Sequence, residues 1–345
     1  MKILEHVPLA SYTTFKIGGP ARFFCVCANE LDLVEAVIYA KSKDLPIFVL
    51  GGGSNILISD EGFTGMVIKM EIKGIEYQGA NPDGTVCVSA AAGETWDDLV
   101  NDTVGRGLYG LENLSAIPGS VGATPVQNIG AYGREASEVI ESVRVLDTHT
   151  LQLFDLSNSE CHFSYRDSVF KHVKGRYVIT RVDFNLSPIG KPDIEYKELK
   201  NYFAPKFSDP AFTGPTLKEV RQAVIDVRWG KLPDWKLWGT AGSFFKNPMI
   251  STEHFSDLKQ KYPEIMGFPE ANGLIKVSLA WILDKVCNVK GLCVGNVCTY
   301  DKQALVVVTK PGAAASEVVE LTHELMRRTK EKTGIEIEAE VEWVN

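Results

Sequence analysis

Ile117-Pro118-Gly119-Ser120-Val121-Gly122-Ala123-Thr124-Pro125-Val126-Gln127-Asn128-Ile129-Gly130-Ala131-Tyr132-Gly133 is a run of small and apolar residues broken by two prolines and four glycines. Proline removes a backbone donor and glycine loses the most conformational entropy on ordering, so the run supports neither a long helix nor a regular strand. Its polar side chains, Ser120, Thr124, Gln127, Asn128 and Tyr132, carry no charge. Two readings fit. The glycines let backbone N–H groups approach a large, flat, mostly apolar cofactor, or the run is a tight crossing in the core between two subdomains.

The flanks are regular elements that end at small residues. Thr85 to Ala92 reads as a strand closing on Ala-Ala-Gly, and Trp96, Leu99, Val100 and Val104 hold helical spacing from Thr95 to the exit at Gly105 and Gly107. Earlier, Pro46 to Leu50 is a short buried strand that runs into Gly51-Gly52-Gly53-Ser54-Asn55, and Ile56 to Asp60 is again a strand. With no GxGxxG opening a helix and no Gly-Lys-Ser/Thr, this loop is neither a dinucleotide fingerprint nor a P-loop. It is either a nest of successive N–H groups that cradles an anion such as a diphosphate, or an ordinary hairpin turn.

Other elements follow from periodicity and caps. Arg22 to Cys27 is strand-like with Cys25 and Cys27 on one buried face, and Asn29 caps a helix carrying Leu33, Val34, Val37 and Ile38. Thr64 to Met70, Val139 to Leu146, Leu151 to Leu156 and Tyr177 to Leu186 read as strands. Ile189 to Pro215 turns to Pro, Lys, Asp and aromatics and reads as a long surface excursion, functional or disordered. Thr216 and Glu219 form a capping box for the next helix, and a domain boundary is expected near Arg228 to Pro233. Helices are expected at Thr252 to Lys261, Ser278 to Cys287 and Ser316 to Lys332, with a strand at Ala304 to Thr309. In the last ten residues or so Ile335, Ile337, Ala339, Val341 and Trp343 alternate with Glu336, Glu338, Glu340 and Glu342, which by period alone makes the glutamates a solvated strand edge.

Bulk properties narrow the class. The 345 residues, 45% hydrophobic, suffice for two or three domains with sizeable cores. A net charge of −8 and no basic stripe argue against nucleic acid and anionic membrane as partners. Neither a signal-like apolar run nor a membrane-length one occurs, so a cytoplasmic location is expected. The seven cysteines are scattered without a CxxC pair, which suggests neither a disulfide framework nor a zinc site.

Six segments in order then resemble one family: Thr14-Phe15-Lys16-Ile17-Gly18-Gly19, Leu50 to Asn55, Ile117 to Gly133, Tyr165 to Lys171, Gly239 to Pro248, and Ala339-Glu340-Val341. The chain resembles the UDP-N-acetylenolpyruvoylglucosamine reductases (MurB), in the form that carries a tyrosine-bearing insertion around Tyr196. The resemblance implies an α+β flavoprotein of three domains, with a two-lobed FAD-binding part of the vanillyl-alcohol-oxidase type and a smaller α+β substrate-binding domain. The expected boundaries are residues 1–70 with a returning strand from 334–345, then 71–232 including the Tyr196 loop, then 233–333.

The resemblance also implies roles. FAD would be cradled by Gly51, Gly52, Gly53, Ser54 and Asn55 and lined by Pro118, Gly119, Gly122, Thr124, Gln127, Asn128, Gly130 and Tyr132. Covalent attachment would need a histidine near these loops, and none stands between His6 and His149, so noncovalent FAD is expected. Arg166 would be the catalytic arginine gripping the substrate carboxylate, Ser243 the proton donor, and Glu340 the catalytic glutamate. Read alone, Arg166 in Tyr-Arg-Asp would be a surface ion pair with Asp167, and Ser243 a turn residue. Tyr165, Tyr196, Lys231, Asn247 and Gln303 would hold the nucleotide-sugar, with NADPH as co-substrate in the same cleft and the chain a monomer. Ala339 and Ala123-Thr124 depart from the family pattern, which often has proline before the glutamate and two serines beside the flavin. The rivals are another FAD-dependent sugar or alcohol oxidoreductase of the same fold, and a nucleotide-sugar binder without turnover.

Overall fold

The computed structural model describes residues 1–345, and they divide into two compact units. One comprises Met1–Val7, Ala21–Gly52 and Thr64–Gly230; the other comprises Pro8–Pro20, Gly53–Phe63 and Lys231–Asn345. The chain passes from one to the other inside the glycine loop, between Gly52 and Gly53.

The first unit is built on two sheets. One orders Ile3–Pro8, Pro20–Cys27, Phe63–Met70 and Ile47–Leu50, with the last two strands parallel and Leu50 opposite Lys69. The helix Glu30–Ser42 starts where its cap predicts, the Asp32 N–H donating to Asn29 Oδ1 at 2.9 Å, and buries Leu33, Ala36, Val37 and Ala40. The other sheet is antiparallel throughout, in the order Leu153–Ser157, Ile140–Asp147, Tyr177–Leu186, Val86–Ala91 and Ile75–Ala80. The helix Trp96–Gly105 buries Trp96, Leu99, Val100 and Val104, and the Trp96 indole N–H is satisfied by the Leu114 carbonyl at 2.9 Å. Both sheets and both helices share one apolar cluster. Cys25 and Cys27 lie buried on one strand face as alternation requires, their sulfurs 4.0 Å apart.

The stretch from 189 to 215 differs from its expectation as a surface excursion. It contains a helix, Lys197–Phe203, whose Leu199 and Phe203 are fully buried against Val220, Ala223 and Val224 of the helix Leu217–Lys231. The two apolar positions are four apart, one helical stripe, and the surrounding prolines and lysines masked it. The second helix opens with the expected box: the Glu219 N–H donates to Thr216 Oγ1 at 3.3 Å and the Thr216 N–H to Glu219 Oε2 at 2.9 Å.

The second unit carries an antiparallel sheet in the order Gly239–Ser243, Gln303–Thr309, Val297–Tyr300 and Cys293–Val294, and a smaller one of Met249–Ile250, Ile275–Val277 and Gly267–Pro269. The helix Thr252–Lys261 forms as expected, and Ala315–Thr333 stops at Gly334, which adopts φ 72°. The helix expected over 278–287 begins as an α-turn, Leu279–Trp281, capped by Ser278, and continues as a π-helix over Ile282–Val286. No helix in the molecule is long and apolar enough to cross a membrane.

The structure differs from the sequence pattern at the C-terminus and at the cysteines. The terminal alternation does not make one long strand: only Glu342–Val344 is one, paired in parallel with Ile56–Ile58. Ile335, Ile337 and Val341 are buried, but Ala339 and Trp343 are exposed, Glu340 is half-buried and Val344 is buried, so the alternation breaks at 339 and its phase slips between 341 and 344. Period-2 reasoning assumes an unbroken pleat, and the segment holds only a single bridge, Ala339 to Phe245. The cysteines also hold one disulfide, Cys293–Cys298, across a hairpin pair whose Cα atoms are 4.1 Å apart. Four intervening residues match no cysteine motif; only the antiparallel register places the two opposite each other.

Candidate functional site

In the first unit the glycine loop and the proline–glycine stretch come into direct backbone contact. A Cβ on Gly51 would lie 2.4 Å from Ser120 Oγ, one on Gly52 2.6 Å from Gly119 Cα, and one on Gly122 2.6 Å from the Ala92 Cβ. The stretch is sewn to the preceding turn by three backbone bonds: Trp96 N–H to Gly119 O at 3.1 Å, Val121 N–H to Glu94 O and Gly122 N–H to Ala92 O, both at 2.9 Å. The glycines at 51, 52 and 122 thus let the two loops and the turn below them meet at van der Waals distance where any Cβ would intrude, a close-packed cradle that suits a diphosphate and a flat ring. The residues present fit FAD on that ground.

Further along the stretch, and at Arg166 which packs on it, the backbone is strained. Asn128, Tyr132 and Arg166 have φ of 44°, 50° and 55°, a region non-glycine residues seldom occupy. Asn128 is fully buried and its amide is committed inside the protein, donating to Glu135 Oε2 at 2.7 Å and Ser164 O at 3.1 Å and accepting from the Ser137 N–H at 2.9 Å. Arg166 lays its guanidinium on this segment: Nη2 donates to Gly130 O at 2.5 Å and Nη1 to Asn128 O at 3.4 Å. Glycine at 130 lets the guanidinium lie this close, since a Cβ there would sit 2.8 Å from Nη1 and 3.0 Å from the Arg134 carbonyl oxygen. The ring of Tyr165 lies 5.3 Å beneath the same guanidinium. Asp167 bonds His172 at 2.8 Å; burial would raise its carboxyl, but that histidine and the Ser168 N–H hold it below the usual range. In this unit the structure thus brings Gly51 and Gly52 against Gly119 and Ser120, and Arg166 against Asn128, Gly130 and Tyr165.

Tyr132 and Tyr196 meet edge to face with ring centroids 5.5 Å apart. Burial pushes the Tyr132 phenol up to about 12, opposed by the positive charge of Arg228. Arg228 itself is shifted down by burial, against the pull of Tyr132 and Asp97. Asp97 is gripped by Arg221 through a fork of 2.6 and 3.0 Å and accepts the Ala116 N–H at 2.6 Å. Burial alone would raise this carboxyl; those donors outweigh it and lower it. Arg221, Arg228 and Asp97 were not singled out from sequence, because they lie on the polar faces of amphipathic helices where charge is unremarkable.

In the second unit, Gly53 adopts φ 64° with the Tyr12 carbonyl 2.0 Å from where a Cβ would stand, and its own carbonyl accepts the Thr14 N–H at 3.0 Å. Asn55 Nδ2 donates to Glu340 O at 3.0 Å, and the Glu342 N–H donates to Asn55 O at 3.0 Å. The Glu340 N–H donates to Phe244 O at 2.8 Å, next to Ser243. Ser243 ends the strand Gly239–Ser243 after a register shift at Ala241 and Gly242, opposite Val306, and is half-buried. Asn55, Ser243 and Glu340 are thus brought to one place by backbone pairing. Gln303 opens the strand that pairs with Ser243's, Asn247 Oδ1 accepts the Leu279 N–H at 3.1 Å, and Lys231 is exposed at a helix end.

Comparison with known proteins sets the class. Residues 21–150 match the model of an FAD binding domain, and residues 234–344 match that of the UDP-N-acetylenolpyruvoylglucosamine reductase C-terminal domain. That combination defines a flavin-dependent oxidoreductase. The chain is 42% identical over 338 residues to the UDP-N-acetylenolpyruvoylglucosamine reductase of Neisseria gonorrhoeae, covering 97% of this chain and 96% of that protein. It is 40% identical to that of Ralstonia nicotianae, covering 99% of each. The crystal structure of the reductase from Thermus caldophilus superposes with a TM-score of 0.66 at 25% identity, covering 100% of this chain and 98% of that one. The chain belongs to the UDP-N-acetylenolpyruvoylglucosamine reductase family.

Proposed function

We propose that the protein reduces UDP-N-acetylglucosamine enolpyruvate to UDP-N-acetylmuramate, a step of peptidoglycan precursor synthesis in the cytoplasm, with noncovalent FAD resident and NADPH as hydride donor. The single observation behind this reading is near-complete alignment, at 42% identity, with a protein of that activity. When bound, the flavin supplies hydride transfer from NADPH to the terminal alkene carbon of the enolpyruvyl group.

This chain's residues do the rest. Gly51, Gly52, Gly53, Ser54 and Asn55 hold the FAD diphosphate, and Pro118, Gly119, Gly122, Thr124, Gln127, Asn128, Gly130 and Tyr132 line the flavin and its chain. Arg166, pre-set by the Asn128 and Gly130 carbonyls, grips the substrate carboxylate with its planar fork, where negative charge grows as hydride arrives. Glu340 acts with it on the developing enolate. Ser243 O–H gives the proton to the neighbouring carbon, a transfer a weak acid can make because the carbanion is far more basic. Tyr165, Tyr196, Lys231, Asn247 and Gln303 hold the nucleotide-sugar.

The domains proposed are residues 1–70 with 334–345, residues 71–232, and residues 233–333. Pairing of Glu342–Val344 with Ile56–Ile58 joins the last strand to residues of the first of these, inside the compact unit that also holds Lys231–Asn345.

The test is a steady-state assay with purified protein, FAD, NADPH and the enolpyruvyl nucleotide-sugar, read by absorbance and mass spectrometry. NADPH consumption matched by a product heavier than the substrate by two hydrogen atoms is expected. NADPH consumption that needs no nucleotide-sugar and tracks oxygen uptake would overturn the assignment.

A further inference from the structure

Lys69 on the inner strand Phe63–Met70 is followed at alternate positions by Glu71 and Lys73, and between them they hold both small-residue loops of the first unit. Lys69 Nζ donates to the Gly51 carbonyl at 2.9 Å and pairs with Glu71 Oε1 at 2.7 Å. Lys73 Nζ stands 3.7 Å from Glu71 Oε2 and donates to the Gly93 carbonyl. The Glu71 N–H is itself fixed to Cys27 O at 2.9 Å, so the shared carboxylate is anchored to the sheet. Gly93 belongs to the turn from which Gly119, Val121 and Gly122 hang through Trp96, Glu94 and Ala92. One carboxylate and two ammonium groups therefore tie Gly51 on one side to the support of Gly119–Gly122 on the other.

The direction of the first bond matters. In a trans peptide the N–H points opposite to the C=O. Lys69, held in register opposite Leu50 and only 19% exposed, captures the Gly51 oxygen and so fixes the aim of the Gly52 N–H. A glycine peptide otherwise flips readily, because neither flanking residue has a Cβ to restrain it. The cluster also carries one net positive charge beside a loop whose amides suit an anion.

We propose that Lys69, Glu71 and Lys73 form a positioning clamp for the FAD diphosphate: they orient the Gly51–Gly52 peptide and set the spacing between the two loops, and none of the three takes part in the redox chemistry. The inference rests on the assignment of Gly51–Gly53 and Gly119–Gly122 to FAD.

The test compares binding of FAD with binding of riboflavin, which lacks the diphosphate, by fluorescence titration of apoprotein. In Lys69→Met the Kd for FAD rises about 10- to 100-fold, the loss expected for a charge-assisted hydrogen bond, while the Kd for riboflavin changes less than about threefold. Lys73→Met shows the same selectivity, and Lys69→Arg recovers most of the FAD affinity. Equal weakening of both flavins, or an unchanged FAD Kd, overturns the clamp. Should Lys69→Met fail to fold, Lys73→Met decides on the same criteria. If the parent apoprotein binds no FAD, the cofactor assignment falls instead.

Discussion

Arg166 shows why a residue's neighbours decide its role. Its φ of 55° and its bonds to two carbonyls hold the guanidinium in one orientation before any substrate arrives. Arg166→Lys keeps a positive charge but loses the planar fork, so kcat/KM for the enolpyruvyl substrate should fall about 100-fold, with the rate of flavin reduction by NADPH much less affected. Equal loss in both half-reactions would place Arg166 in NADPH binding instead. Ser243→Ala should keep FAD and its reduction by NADPH and slow reoxidation by the nucleotide-sugar about 10²–10⁴-fold, as expected for loss of a positioned acid. Unchanged reoxidation removes Ser243 from the chemistry. At this scale the sequence was legible where a motif was dense, since Ile117–Gly133 forms neither a long helix nor a regular strand, and misleading where a residue stood alone. Glu340 read as a solvated edge because strict alternation was assumed to run through a segment that the structure holds by a single bridge. The Lys69–Glu71–Lys73 alternation was visible too, but nothing in it revealed that its targets were the carbonyls of Gly51 and Gly93.

Elements were read best where caps and periodicity agreed. The strand Tyr177–Leu186 and the helix Thr252–Lys261 fall where the pattern placed them. The helix Lys197–Phe203 was missed because its stripe has only two large apolar residues. Phe203→Ala should cost about 3–5 kcal/mol in denaturant unfolding, as for other buried aromatics, since its ring is fully enclosed between two helices. A loss below about 1 kcal/mol would mean this helix is only loosely docked. The capping box of the following helix makes a pH prediction. Glu219 is depressed to about 2, first by the Thr216 N–H and then by Lys206. A depressed carboxyl stabilises the fold above its ordinary pKa and loses that contribution as pH falls toward the folded value. The Tm gap between the parent and Glu219→Gln should therefore be full near pH 7 and shrink progressively below about pH 4.5. A gap that is constant or widens on acidification contradicts the cap's role.

On the scale of the molecule, the chain interleaves its units: Met1–Val7 and Ala21–Gly52 belong to one, Pro8–Pro20 and Gly53–Phe63 to the other. Composition could bound the number of domains, but such interleaving depends on which distant strands pair. The parallel pairing of Glu342–Val344 with Ile56–Ile58 joins residues from opposite ends of the sequence, and no local pattern encodes it. Ligand linkage gives a prediction at this scale: FAD at 100 times its Kd should stabilise the apoprotein by about 2.7 kcal/mol, seen as a concentration-dependent rise in Tm. No shift at saturating FAD would contradict the cofactor assignment.

The most direct test of the whole account is anaerobic stopped-flow absorbance at the flavin band, with NADPH mixed first and the enolpyruvyl nucleotide-sugar second. Bleaching on NADPH and rapid recovery on the nucleotide-sugar are expected. Bleaching that persists after the nucleotide-sugar is added would contradict it.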